Sequence, residues 1–510
     1  MFKSFLDAVV EAVKNHPEKA AFIYLPESNE QEILSYSKFL QLVLAFAKYA
    51  KKLTGKANPT ISFAMDNSLN TQVILWGSQV TGSANPVNPF LSAAQIDDII
   101  CACNADVLFL DEKYKDKGNQ INGAPVIIVE REFSRILEEY IDFPEQLVGE
   151  PNKIAAYFHT GGTTGLPKIV PLSHQNSIAN SLMMKKALNS NSDDVFLCGL
   201  PLFHVNAIHI TSLVPFSTGS TIVLPESGFR NKAFFANFWN VVERHRVSLF
   251  SSVPTILTDL LSLPVTAGQD LSSLRYAIAG AAPLSIEVFN RFERMTGLKI
   301  LEGYGLTEST CAVCCNPISG ARKVGSVGLP TWGCDVRIAK VNKELCQIVN
   351  ECSTDEVGHI LIKGPNVFSG YLRQEDNDGV WFDGWFDTGD LGCVDADGFL
   401  WLTGRSKDII IRGGHNIDPK IVEEALYKHP DVKIAACVGR PDKRLGEVPV
   451  GFVSLNDESN LTAPELMIFL KKSDLEKASI PAEIVFIKQF PLTAVGKIYK
   501  PELRKIASES

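Results

Sequence analysis

At 510 residues and 55.9 kDa the chain is longer than one hydrophobic core organises, so two or more domains are expected and a small binding module is excluded. Hydrophobic residues at 45%, charged residues at 21%, 36 Gly and 27 Pro leave no compositional case for disorder, collagen or low complexity. With 49 Lys plus Arg against 58 Asp plus Glu, the net charge of −9 supplies no global positive field, so neither nucleic acid nor an anionic membrane is expected as a partner.

The first twenty residues, MFKSFLDAVVEAVKNHPEKA, set Asp7 and Glu11 among apolar positions without a continuous apolar run. They read as an amphipathic helix and not a signal peptide, and a cytoplasmic location is the expectation. Residues 35–53 carry apolar side chains at helical spacing and stop at Gly55; 61–65 is short and extended; 71–81 is helical again. Ser92 suits the N-cap of a helix through Cys103, and apolar strands follow at 107–110 and 126–129. Residues 195–225 lack any Asp, Glu, Lys or Arg and are long enough to span a bilayer, but Gly199, Pro201, His204, His209, Pro215 and Gly219 interrupt them. They read as buried core near a site, and no transmembrane segment is expected.

Strand patterns recur at 248–252 and 275–279, so the first three hundred residues read as an α/β fold of doubly wound parallel sheets. Beyond Val324 the sequence turns β-rich, with a strand at 358–363 and a hairpin turning at the DADG of 395–398, which suits a small β-barrel-like subdomain or a distorted sheet. After Arg405 the pattern restarts. Asp418 and Pro419 mark an N-cap and N1 for a helix over 419–428, then come strands at 434–438 and 450–455, a second helix from Pro464 and a final strand at 483–488. The expected division is 1–404 as a large N-terminal domain and 405–510 as a small, mobile α+β C-terminal domain.

Eleven Cys, an odd number without a secretory signal, read as reduced thiols. Neither Cys101 with Cys103 nor Cys311 with Cys314 and Cys315 has a second pair at zinc-ligand spacing, so burial as small hydrophobes is favoured over a metal site.

Residues 158–168 read FHTGGTTGLPK. Glycines let backbone amides approach an anion, threonine hydroxyls add donors and Lys168 adds charge, a set suited to a triphosphate; the alternative is a flexible surface loop. It is not a Walker A loop, because Lys168 follows Pro167 and is succeeded by Ile169 instead of Ser or Thr.

This segment resembles the phosphate loop of the adenylate-forming superfamily, which includes acyl-CoA synthetases, standalone adenylation domains and beetle luciferases. Four further stretches resemble the same superfamily in order: LEGYGLTEST at 301–310, GWFDTGDLG at 384–392, GRSKDIIIRGGHNIDPKIVEE at 404–424 and PLTAVGKIYK at 491–500. The resemblance covers nearly the whole chain. It implies activation of a carboxylic acid by attack on the α-phosphorus of ATP, then transfer of the acyl group to the thiol of CoA.

By this resemblance the phosphates fall to Thr160, Gly161, Gly162, Thr163, Thr164, Gly165 and Lys168, with Thr307 a further phosphate hydroxyl and Glu308 the ligand of Mg²⁺. Asp390 holds the ribose hydroxyls and Arg405 contacts ribose or phosphate. Gly280, Ala281 and Ala282 form a small-residue wall for adenine, Tyr304 stacks on it, and Glu302 and Gly303 lie alongside. Lys497 is the catalytic lysine bridging carboxylate and α-phosphate. Lys407 occupies the hinge position, where other members have Asp, and Gly413 with Gly414 leave room for the pantetheine thiol. The acid pocket is assigned to His204, Val205, Asn206, Gly303 and Gly305.

Three departures stand out. Gly161 replaces the usual Ser, Ile169 replaces the Gly after the loop lysine, and Lys500 stands where many relatives have Arg. None removes a reacting group. The uncharged, partly apolar pocket favours a monocarboxylic acid, a fatty acid of medium or long chain, with aromatic, short-chain and oxalate-like acids left open. Transfer to a carrier protein is the alternative acceptor, although no insertion typical of fatty-acyl-AMP ligases lies between Val324 and Gly404; a homodimer is also left open. A luciferase-like oxidase has no distinguishing feature here. A catalytically inactive binding protein is disfavoured by the intact Glu308, Asp390, Arg405 and Lys497.

Overall fold

The computed structural model describes residues 2–27, 30–141, 150–160, 167–266, 268–405, 408–457, 459–493 and 496–509. Local chemistry sets many helix ends. Ser35 Oγ accepts the Lys38 N–H at 3.3 Å to open the helix Tyr36–Thr54, and Gly55 closes it at φ 67°, in left-handed backbone that favours glycine. Ser92 and Gln95 cap reciprocally at 3.3 and 3.0 Å to open Ala93–Ala102.

Two sheets organise the first three hundred residues. One has six strands in the order Val126–Val129, Val107–Asp111, Thr60–Ala64, Ser83–Pro86, Ile154–Thr160 and Lys168–Ser173, parallel except for the last pair. The other has nine, parallel from Lys299–Tyr304 across to Ala20–Leu25. Phe5, Phe22, Phe39, Trp76 and Phe216, from five separate elements, pack in one fully buried aromatic cluster; Phe5 stacks on Trp76 at 4.2 Å and Phe39 on Phe216 at 5.2 Å. Burying five such rings supplies on the order of 10 kcal/mol of apolar transfer free energy.

The charge-free stretch runs through this interior, as expected. It comprises the strand Val195–Leu197, the helix Val205–Ile208, a π-helical turn His209–Leu213, the helix Val214–Thr218 and the fully buried strand Thr221–Pro225. A π-turn widens the helix locally and is often found at functional sites. Ahead of the helix His174–Ala187, the apolar run after Lys168 forms an edge strand antiparallel to Ile154–Thr160, where Pro171 is tolerated because only one side is paired. Its register sets Thr160 opposite Lys168, at the two ends of the glycine- and threonine-rich segment.

The β-rich part is a six-stranded antiparallel sheet. Its ten-residue strand Trp385–Val394 pairs with Gly358–Lys363, Trp381–Phe382 and Leu400–Arg405, and its register shifts twice. This curls the sheet; among the described residues its pairings do not close into a ring.

The C-terminal unit is a separate α+β domain. Strands Ile410–Arg412, His415–Ile417, Val432–Asp442, Gly446–Leu455 and Glu483–Phe486 form its sheet. Val422, Leu426, Leu466 and Leu470 pack a core on one side, and Leu503 with Ala507 from Lys500–Glu509 pack another. The central ribbon is longer than the sequence suggested because pairing continues from Val432 to Asp442. Asp418 caps the helix Pro419–Tyr427 through the Lys420 N–H at 2.9 Å, as expected. Among the described residues no helix is long and apolar enough to cross a membrane.

Candidate active site

The strand Lys299–Tyr304 runs into a tight return. A Cβ on Gly305 would lie 1.7 Å from the Cys311 carbonyl oxygen, so only glycine fits there, and the single turn Thr307–Ser309 follows directly. This return presents Tyr304 and Glu308 from two sides of one bend.

Tyr304 donates its hydroxyl to Asp390 Oδ2 at 2.7 Å, and Arg405 Nε donates to Asp390 Oδ1 at 3.1 Å. Asp390 and Arg405 are register partners on adjacent strands, so sheet pairing sets that second bond. Burial raises the Asp390 carboxyl above its ordinary range, and Arg405 and the Tyr304 hydroxyl oppose that shift. A carboxylate has about four lone-pair positions, so each oxygen retains one for a further donor.

Glu308 is buried and takes the Tyr371 hydroxyl on Oε1 at 2.6 Å. Burial raises its carboxyl, and the Tyr371 hydrogen bond resists the rise. The Tyr371 ring in turn lies under Lys168 Nζ, 4.4 Å from the ring centre, while Lys168 Nζ donates to the Asp376 carbonyl at 3.2 Å. Tyr371 therefore bridges a cation and a carboxylate from two separate motifs. Among the described residues no group of three or more His, Cys, Asp and Glu could cage a metal. Mg²⁺ bound to a polyphosphate needs only one or two protein carboxylates, a demand that a single buried carboxylate such as Glu308 fits.

Lys497 enters from the C-terminal domain. Its loop is closed by Thr493 N–H to the Lys497 carbonyl at 2.7 Å, Lys497 N–H to Thr493 Oγ1 at 3.1 Å and Gly496 N–H to the Thr493 carbonyl at 2.9 Å. Burial, with Arg405 close by, pushes the ammonium down to about 8, against the pull of Asp390 and Cys311. His204 caps the helix Val205–Ile208, its Nδ1 accepting the Asn206 N–H at 3.4 Å. Burial, helped by Lys497 and His209, pushes it down to about 3, so it is a neutral imidazole at physiological pH. Val205 and Asn206 are buried beside it, and Asn206 Oδ1 has no hydrogen-bond partner among the described residues.

Of the remaining expected residues, Gly280, Ala281 and Ala282 follow the strand Tyr276–Ala279; Ala281 is left-handed at φ 71°, and a Cβ on Gly280 would come within 3.3 Å of the Gly303 carbonyl. The small-residue segment thus runs close beside Gly303, next to Tyr304. Glu302, expected alongside the nucleotide, also has a structural tie. Its carboxylate accepts the Gly325 N–H at 3.0 Å and its carbonyl accepts the Asn316 N–H at 2.9 Å; burial raises it to about 7, with Lys420 and Glu424 nearby. It braces a loop beneath the small domain. Gly413 and Gly414 form an exposed turn at φ 57° and 90°. Gly161, Gly162, Thr163, Thr164, Gly165 and Lys407 lie outside the described residues. Tyr371 had no signal in the sequence, since its partner lies 63 positions away.

Two family models match this chain. "AMP-binding enzyme" matches residues 9–372, and "AMP-binding enzyme C-terminal domain" matches 421–497. The chain is 37% identical over 531 residues to the marinolic acid–CoA ligase of Pseudoalteromonas sp. (strain SANK 73390), covering 98% of this chain and 80% of that protein. It is 37% identical over 361 residues to the long-chain-fatty-acid–CoA ligase of Bacillus subtilis (strain 168), covering 70% of this chain and 62% of that protein. The ATP-bound crystal structure of MatB from Rhodopseudomonas palustris superposes with a TM-score of 0.88 at 24% identity, over 99% of each chain, and shares the fold. The chain therefore belongs to the AMP-binding enzymes, the adenylate-forming superfamily, and is acyl-CoA synthetase-like.

Proposed function

We propose that this protein is an AMP-forming acid–thiol ligase that joins a monocarboxylic acid to CoA through an acyl-adenylate. The observation that carries this reading is the docking of the Lys497 loop on the large domain, where Thr255 Oγ1 donates to the Gly496 carbonyl at 2.7 Å, together with the Tyr304–Asp390–Arg405 cluster. In the first step an acid carboxylate oxygen attacks the α-phosphorus of ATP, the bond to the β-phosphate oxygen breaks, and pyrophosphate leaves. Lys497 supplies positive charge between the attacking carboxylate and the α-phosphate, charge that is worth more in a buried setting than in water. Lys168, Thr160 and Thr307, with the segment 161–165, take the phosphates. The two free lone-pair positions on Asp390 accept the two ribose hydroxyls, Arg405 steadies that carboxylate, and the Gly280–Ala282 edge with the Tyr304 ring receives the base. Glu308 would hold Mg²⁺, which neutralises charge on the phosphates as pyrophosphate departs.

In the second step the CoA sulfur attacks the acyl carbon and AMP leaves. The small domain, with its boundary at 404/405 and its hinge at Lys407, turns to bring Gly413 and Gly414 to the cavity. In the pocket assigned by resemblance, a neutral His204 with Val205, Asn206, Gly303 and Gly305 carries no formal charge, which supports a fatty acid of medium or long chain; a Bacillus subtilis relative is named for a long-chain fatty acid, while others are named for sulfoacetate, ferulate and oxalate. The protein acts in the cytoplasm.

The test is pyrophosphate release from ATP and Mg²⁺ with acids from acetate to long-chain fatty acids, benzoate and oxalate, with and without CoA. CoA-dependent turnover restricted to fatty acids is expected. Preference for an aromatic, short-chain or oxalate-like acid would overturn the substrate choice, acyl-adenylate accumulation indifferent to CoA would indicate a carrier-protein acceptor, and silence throughout would remove the ligase.

A further inference from the structure

Among the described residues, a hydrogen bond joins the large domain directly to the catalytic-lysine loop. Thr255 Oγ1, in the first turn of the helix Pro254–Leu260, donates to the Gly496 carbonyl at 2.7 Å across 241 positions of sequence. The approach is tight: a Cβ on Gly496, which sits at φ 81°, would be 3.3 Å from both Thr255 Oγ1 and Val253 Cγ2. Gly496 immediately precedes Lys497, and the loop beyond the bond is closed on itself by Thr493. The hydroxyl thus holds the loop one residue from the ammonium group.

We propose that Thr255 is a positioning residue that latches the Lys497 loop for adenylation and has no part in thioester formation. The inference rests on the ligase reading above and deepens it. When Lys497 leaves the cavity the Gly496 carbonyl leaves with it, so the bond exists in one arrangement of the small domain and its contribution falls on one half-reaction. Side-chain geometry singles out the hydroxyl: valine keeps the shape of threonine and loses only the donor, whereas serine keeps the donor.

The experiment compares wild type, Thr255→Val and Thr255→Ser in two assays. Acid-dependent exchange of labelled pyrophosphate into ATP reads adenylation; conversion of pre-formed acyl-adenylate to thioester by CoA reads the second step. Thr255→Val is expected to slow the maximal exchange rate about three- to tenfold, the range set by one net hydrogen bond, with KM for ATP and acid within twofold. The thioester step is expected to be unchanged, and Thr255→Ser to recover most of the exchange rate. In a Lys497→Ala background Thr255→Val should add no further loss, since there is no ammonium left to position. Unaltered exchange in Thr255→Val, equal slowing of both half-reactions, or additive loss on Lys497→Ala would each overturn the latch. Absence of exchange in wild type with every acid would instead remove the underlying ligase reading.

Discussion

The Lys497 ammonium offers a quantitative test, because only its charged form can stand between a carboxylate and a phosphate. Its ordinary value of 10.5 is pushed down to about 8 by burial and then by the Arg405 charge, while the Asp390 carboxylate pulls the other way. A lowered lysine value means that the charged form dominates below pH 8 and is lost as pH rises through it. With a value near 8 the charged fraction falls from about 90% at pH 7 to about 3% at pH 9.5, roughly thirtyfold. The kcat/KM of adenylation, which reports the free enzyme, should therefore descend an alkaline limb centred near pH 8. The limb in kcat should lie at higher pH, because bound phosphates favour the cation. Thioester formation from pre-formed acyl-adenylate should show no such limb. Lys497→Arg, whose guanidinium stays charged throughout, should abolish the limb at a lower absolute rate. Exchange kinetics between pH 6.5 and 10 provide the measurement. A limb near pH 8 that survives in Lys497→Arg, or a flat wild-type profile to pH 10, would refute the assignment.

Three further outcomes follow from the same geometry. Tyr371→Phe keeps the ring under Lys168 but strips Glu308 of its donor; hydrogen bonds to charged groups contribute about 1.5–3 kcal/mol, so kcat/KM for ATP in the exchange assay should drop roughly 10- to 100-fold while the thioester step is spared. On the proposed reading Asp390 meets the ribose with one free position on each oxygen, so 2′-deoxy-ATP should show a KM about tenfold higher than ATP, the cost of one unmade hydrogen bond to a buried carboxylate, and the ratio should approach one in Asp390→Asn. Gly305→Ala would drive a methyl into the Cys311 carbonyl, beyond what local repacking absorbs, so it should destabilise by more than about 3 kcal/mol; an unchanged Tm by calorimetry would contradict that contact.

Helix ends at Ser35, Gly55, Ser92 and Asp418 could be read directly because each cap is a contact within four residues. The strands buried on both faces announced themselves as apolar runs, whereas the extent of Val432–Asp442 could not be read, because its far end is polar and held only by pairing with Gly446–Pro449. In the candidate site, Asp390, Glu308 and Lys497 were named through the resemblance of their motifs to the adenylate-forming superfamily. Tyr371 and Thr255 were not: their roles exist only through partners 63 and 241 positions away. Glu302 carries a tie that its neighbours in sequence do not show. The resemblance placed it with the nucleotide; in the fold its carboxylate also accepts the Gly325 amide, a partner 23 positions away.

Gly413 and Gly414 are exposed on the same small domain that seats Lys497 inside. A rigid body with two working ends and one doorway behaves as a selector switch. On the proposed reading, the end that admits a thiol is outside for as long as the end that activates the acid is within, so the sulfur of CoA never competes with the carboxylate for ATP. The order of the two steps then becomes a property of shape, kept without any messenger between them.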